Sequence, residues 1–162
     1  MQYWLAKTEP NTYSWEDLKN EKNRTTSWEG IRNYQVRNFI RDEIRNGDYF
    51  FIYHSVVTPM AIMGIARVVR EAYPDHYAFD TTHKYYDPKS KPDNPAWLMF
   101  DIQAVSEFLP PVNLDEMKNY PELNEMGLLK KGNRLSIQKV TSKEWNFILS
   151  LTKVVDLKNE FN

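Results

Sequence analysis

Apolar, strand-forming runs in this chain are separated by short segments that each carry a complete helix-start signal, and this combination is the main constraint on the fold. Ser14 can cap a helix over 14–19, with Asp17 at the third helical position and Tyr13 able to staple to Leu18. Asn113 with Glu116, and Thr141 with Glu144, repeat the pattern, with Val112 facing Met117 and Val140 facing Trp145. A longer amphipathic helix is predicted over 33–44, where Val36, Phe39, Ile40 and Ile44 recur on one face and Gly47 follows as a stop. Strands are predicted at 2–7, with Trp4 and Ala6 on one face and Tyr3 and Leu5 on the other, and at 49–53, 61–69 and 96–105. Strands mixed with short helices, without regular β-α-β alternation, favour an α+β fold over a doubly wound sheet.

Between these elements, residues 74–95 hold Pro74, Pro88, Pro92 and Pro95 and show no clear period. An irregular stretch of this length in a compact domain is usually functional or mobile. The end of the chain, 151–162, reads as a last strand or a tail, so one domain is expected over 1–150.

Charge and composition exclude several function classes. With 21 basic and 22 acidic residues the net charge is −1, so any polyanion must be met by a local patch. The absence of cysteine removes disulfides, thiolate metal sites and cysteine nucleophiles. His54, His76 and His83 show no metal-ligand spacing, and five scattered glycines make no phosphate-binding loop. No apolar run reaches the length of a membrane span, and the N-terminus lacks a signal-peptide pattern. A monomer without cofactor, cytoplasmic or (in a eukaryote) nuclear, is the expectation.

The residues that point to chemistry cluster at 28–35. Trp28 and Tyr34 offer flat apolar faces, Arg32, Asn33 and Gln35 carry directional planar groups, and Gly30 allows a close approach that a side chain would block. Such a set suits a planar heterocycle held between rings and read along its rim. Lys7 ends an inward strand face and needs a partner, for which Glu9 is one candidate; that carboxylate could also accept from an exocyclic amine. His54 and Ser55 are adjacent in a strand and face opposite ways, so a direct Ser–His relay is not expected there. Ser136 and Gln138 would share one face of an extended segment. Arg37, Arg41 and Arg45 step along the polar side of the long helix, and within 31–46 the arginines leave a local excess of two positive charges. A stripe of this kind can track a phosphate backbone.

Five segments carry a resemblance to a known family. Tyr3-Trp4-Leu5-Ala6-Lys7-Thr8-Glu9-Pro10, Trp28-Glu29-Gly30-Ile31-Arg32-Asn33-Tyr34-Gln35, Tyr53-His54-Ser55, Tyr85-Tyr86-Asp87-Pro88-Lys89-Ser90 and Arg134-Leu135-Ser136-Ile137-Gln138 together resemble the EVE domain, a branch of the PUA-like superfamily. Thr8 stands where the family commonly has Ser, and Lys139 where Pro often follows the Gln. The resemblance implies a PUA-like twisted β-barrel of about five or six mixed strands flanked by short helices. It also implies a non-catalytic module that holds a modified, methylated base of DNA or RNA in an aromatic pocket. Carried over, Trp28, Arg32, Asn33, Tyr34, Ser55 and Trp97 surround that pocket, with Lys7, Glu9, Ser136 and Gln138 as further members. Arg37, Arg41 and Arg45 are the expected phosphate contacts, and an unidentified effector protein is the further partner such a module would use. The rival readings are a nuclease or base-modifying hydrolase using Lys7 with Glu9 or His54, and a binder of free nucleobase or nucleotide.

Overall fold

The computed structural model describes residues 1–157. Along the chain run β1 (Tyr3–Thr8), α1 (Trp15–Asn20), β2 (Thr25–Trp28), α2 (Tyr34–Asp42), β3 (Tyr49–His54), β4 (Ala61–Pro74), β5 (Leu98–Asn113), α3 (Leu114–Met117), β6 (Ile137–Val140), α4 (Ser142–Leu149) and β7 (Lys153–Asp156). The seven strands form one mixed sheet in the order β2-β5-β4-β3-β1-β6, with β7 also on β5. Only β1 and β3 run parallel, paired from Tyr3–Tyr49 to Thr8–His54. The α+β class is as expected. The sheet has more strands than the five or six anticipated, and β2 and β6 end it as open edges instead of closing a barrel.

Both faces of the central strands are apolar, and each is covered. On one face Trp4, Ala6, Phe50, Ile52, Phe100 and Ile102 pack with Trp15 and Leu18 of α1 and Val36 and Ile40 of α2. On the other, Leu5, Phe51, Tyr53 and Phe108 pack with Met117 and with Trp145 and Ile148 of α4. Trp145 lies flat on Phe51 with ring centroids 3.8 Å apart. The alternation along β1 and β3 is therefore the period-two pattern of a sheet covered on both sides.

Helix starts follow their local signals with one exception. Ser14 and Thr141 form complete capping boxes with Asp17 and Glu144. Asn113 makes no side-chain cap, because it is still paired with Ala61 in the β4–β5 ladder and the four-residue α3 leaves directly from it. Both long strands outrun their expected ends, β4 to Pro74 and β5 to Asn113. Their pairing continues through several register shifts, and Pro110 and Pro111 fall in such a gap between paired residues, where no ladder donor is needed. Strand β2 was not anticipated: Thr25-Thr26-Ser27 is polar and too short to show a period. Of the last strand or tail expected over 151–162, Lys153–Asp156 form β7; residues 158–162 lie outside the described residues.

Two side-chain approaches tie α1 to the sheet and generate predictions. A Cβ on Gly64 would sit 2.4 Å from the Trp15 ring and 2.5 Å from the Ser106 carbonyl oxygen. Gly64→Ala is therefore expected to destabilise the fold by about 1–3 kcal/mol or more in denaturant titration, since backbone cannot yield as a flexible side chain would. His54 Nε2 accepts the Trp15 amide N–H at 2.9 Å, which only the neutral ring can do, and burial lowers its pKa from the ordinary value. The unfolded chain takes up this proton first, so the contribution is present above about pH 6.5 and is lost as pH falls below it. His54→Gln keeps an acceptor without the titration and should flatten the fall in denaturation midpoint between about pH 7 and pH 5. An equally steep fall in that variant would assign the dependence to other groups.

Candidate nucleic-acid interface

At the C-terminal end of β1 a cavity of about 610 Å³ opens to solvent, built from four separated stretches of chain. The end of β1 and the turn after it bring Lys7, Thr8, Glu9, Thr12 and Tyr13; β2 and its exit bring Thr26, Ser27, Trp28, Glu29, Gly30 and Ile31. The irregular 75–95 segment brings His83, Lys84 and Tyr85, and the approach to β6 brings Ser136. Three large rings thus meet at the opening. Trp28 is buried, and Tyr13 stands edge-on to it at 6.2 Å. The Tyr13 hydroxyl donates to Glu21 at 2.9 Å, and burial pushes its pKa well above the ordinary value.

The wall formed by Tyr85 depends on Gly30. A Cβ there would lie 2.4 Å from the Tyr85 ring, and the residue sits at φ +82°, so both the contact and the backbone require glycine. Asp75, fully buried, fixes this arrangement. Its carboxylate accepts the Gly30 N–H at 2.9 Å, the Tyr77 N–H at 3.0 Å and the Arg32 guanidinium at 3.1 Å. Arg32 also donates to the Tyr85 carbonyl at 2.6 Å, and its guanidinium lies 5.4 Å from the ring centroids of both Tyr85 and Trp97.

Lys7, Glu9, Trp28 and Ser136 of the sequence-derived set line the cavity; the other members do not. Tyr34 is exposed and stacks on Trp97 at 4.7 Å, while the Trp97 indole N–H donates to Asp87 at 2.6 Å. These two rings thus extend the Arg32–Tyr85 stack and do not face Trp28 across the opening. Asn33 spends its side-chain oxygen capping α2, accepting the Val36 N–H at 3.0 Å. Ser55 turns its hydroxyl to the Thr8 carbonyl at 3.5 Å, and its backbone N–H also meets that oxygen at 3.0 Å. Gln138 is buried, donates to the Leu135 carbonyl at 2.9 Å and leaves its carbonyl oxygen without a partner among the described residues. With His54 committed to the Trp15 amide and Ser55 to Thr8, the two do not form a relay.

Lys7 is not paired with Glu9. Among the described residues its amine has no carboxylate within ion-pair distance and reaches only the Asn133 carbonyl, at 3.5 Å. Burial lowers its pKa from the ordinary lysine value. A half-buried ammonium with one long hydrogen bond is a donor waiting for an acceptor at the cavity wall. The arginine stripe is also less available than its spacing suggests. Arg37 donates to the Ala96 carbonyl at 2.8 Å, Arg41 grips Asp42 through two bonds of 2.8 and 3.0 Å, and Arg45 donates to the Asp42 and Ile44 carbonyls.

Sequence reasoning gave Tyr13 only a helix-stapling role, passed over Thr26, Ser27 and Lys84, and quoted Tyr85 without a role. The available signal was the proline-rich irregularity of 74–95, the segment that supplies His83, Lys84 and Tyr85. No group of three His, Asp or Glu side chains that could hold a metal occurs among the described residues. No helix among them is long and apolar enough to cross a membrane.

Comparison with known proteins agrees with this architecture. Thymocyte nuclear protein 1 of Homo sapiens is 41% identical over 165 residues, covering 92% of this chain and 73% of that protein. The crystal structure of human THYN1 in complex with 5-methylcytosine-containing DNA superposes with a TM-score of 0.88 at 40% identity, over 93% of this chain and 97% of that one. A crystal structure from Pseudomonas putida matches with a TM-score of 0.86 at 41% identity, over 92% and 98% of the two chains. The EVE domain profile matches residues 2–151, and the chain belongs to the EVE domain family.

Proposed function

We propose that this chain is a non-catalytic reader of a modified base, 5-methylcytosine in DNA being the first candidate. The observation that carries the proposal is a solvent-open cavity of about 610 Å³ whose walls are Trp28, Tyr13 and Tyr85 and whose rim offers Lys7, Glu9, Ser27 and Ser136. Its support from outside the chain is the human relative's complex with DNA containing that base. A nucleotide swung out of its stack inserts its base against the rings. The Lys7 ammonium donates to a ring carbonyl or ring nitrogen, and the Glu9 carboxylate accepts from the exocyclic amine. Arg32, Trp97 and Tyr34 act by holding Tyr85 in place, while Ser55, Gln138 and Asn33 brace the backbone around the opening. The domain binds as a monomer to DNA, or to RNA carrying the same mark, in the cytoplasm or a nucleus, and an effector protein is a further partner.

Binding of the intact chain to strands carrying 5-substituted cytosines, N6-methyladenine or no mark, single- and double-stranded, tests this reading. A preference for a marked cytosine is expected, together with intact oligonucleotide after incubation. Trp28→Ala should abolish that preference; a folded variant that keeps it removes Trp28 from the reader. Lys7→Met removes a charged hydrogen bond of about 1.5–3 kcal/mol and should weaken binding roughly tenfold or more. Turnover of the strand that is lost on Lys7→Ala would instead make the chain an enzyme. Equal affinity for the free nucleoside and the oligonucleotide would make it a metabolite binder.

A further inference from the structure

We infer that the phosphates flanking the inserted nucleotide are held at the cavity rim by Lys84, Lys131 and Arg134, and not along α2. The inference rests on the base-binding reading above and locates the part of the surface that meets the strand. Lys84 lines the cavity itself, beside Tyr85, with its ammonium 5.0 Å from that ring. Arg134 is two residues from the cavity-lining Ser136, and Lys131 two residues from Asn133, whose carbonyl accepts from Lys7. The chain turns between them at Gly132, whose φ is +83°.

All three cations are exposed, and among the described residues none has an ion-pair or side-chain hydrogen-bond partner. Neighbouring Lys130 is different, being paired with Glu125 at 2.7 Å. Arg37 and Arg41 of α2 and Arg45 just beyond it are different again, since each guanidinium already donates to carbonyls or side chains of its own chain. A phosphate arriving at those arginines meets guanidiniums already oriented by other partners, and at Arg41 a charge already met by Asp42, whereas one arriving at the rim meets cations with no such partner. Two carboxylates share the rim. Glu29 is turned onto the Ser27 hydroxyl at 2.8 Å, and Glu9 stays exposed. A nucleotide inserted base-first leaves a phosphate on each side of its sugar, and exposed cations lie on two separate segments, Lys84 in the cavity lining and Lys131 and Arg134 within two residues of Asn133 and Ser136.

Salt dependence of affinity counts such contacts directly, because each phosphate neutralised on duplex DNA adds roughly 0.9 to the slope of log K against log salt. Titrations of the full chain with one marked duplex at several salt concentrations are compared for three proteins. These are the parent chain, Lys84→Ala/Lys131→Ala/Arg134→Ala, and Arg37→Ala/Arg41→Ala/Arg45→Ala. The rim variant is expected to lose up to about 2.7 from the slope, and the helix variant to keep the parent value. A rim variant with the parent slope, or a loss confined to the helix variant, overturns the inference. Failure of the base-reading shows separately, as equal affinity of the parent chain for marked and unmarked duplex, while the slopes still report where the phosphates sit. Absence of any binding by the parent chain overturns both.

Discussion

One buried carboxylate holds the site together. Asp75 has no contact with water and is satisfied from three directions, by the Gly30 amide, the Tyr77 amide and the Arg32 guanidinium. Through these bonds the exit of β2 is pinned to the start of the irregular 75–95 segment, which has no strand or α-helix of its own to hold it. Removing Arg32 would leave the Asp75 charge away from water with two amide donors, a loss of the kind that costs about 3–5 kcal/mol where both partners are fully buried and less here, Arg32 being partly exposed. The placement of Arg32 then follows: held by Asp75, it lies against Tyr85 and Trp97 and takes the Tyr85 carbonyl. Tyr85 is pressed onto Gly30, and the cavity wall exists only because both constraints are met.

What could be read from the sequence divides along the same line between local and assembled structure. The caps at Ser14 and Thr141 are short-range hydrogen bonds between residues three apart, so residue type and spacing suffice to find them. Asn113 has the same spacing and fails, because its backbone is still engaged in a ladder that spacing cannot reveal. Trp28 and Gly30 were legible as a flat face beside a close approach. Tyr34 and Trp97 were legible as rings for a pocket, but nothing in sequence order says that they would spend their faces on one another. Lys84 and Tyr85 reach the cavity through Asp75, a contact with residues 43 to 45 positions away, and no local pattern encodes it. The arginine stripe shows the opposite limit: its spacing is legible, but the intrachain bonds of Arg37 to the Ala96 carbonyl, Arg41 to the Asp42 carboxylate and Arg45 to the Asp42 carbonyl are not.

The energetics of a reader built this way are uneven. Extruding a base costs a few kcal/mol, least where pairing is already weak. Stacking on rings such as Trp28 and Tyr85 returns about 1–3 kcal/mol per base, so insertion alone comes out close to balanced. Net affinity must then come from phosphates, which makes it salt-dependent and blind to sequence.

Selectivity has two sources of different size. A methyl group gained in an apolar slot is worth about 1–3 kcal/mol, which sets a modest ceiling on preference for the marked base over the plain one. The identity of the base is another matter, because a site built around a hydrogen bond penalises a ligand that leaves its polar groups unpaired, by up to about 10⁴–10⁵ where the site is fully dry. Lys7, carrying one long bond and half removed from water, is such a group, although its remaining solvent contact keeps the penalty well short of that limit. In the proposed reader two decisions are thereby separated: Lys7 and Glu9 would govern which base enters, and the rings around Trp28 whether it carries its mark.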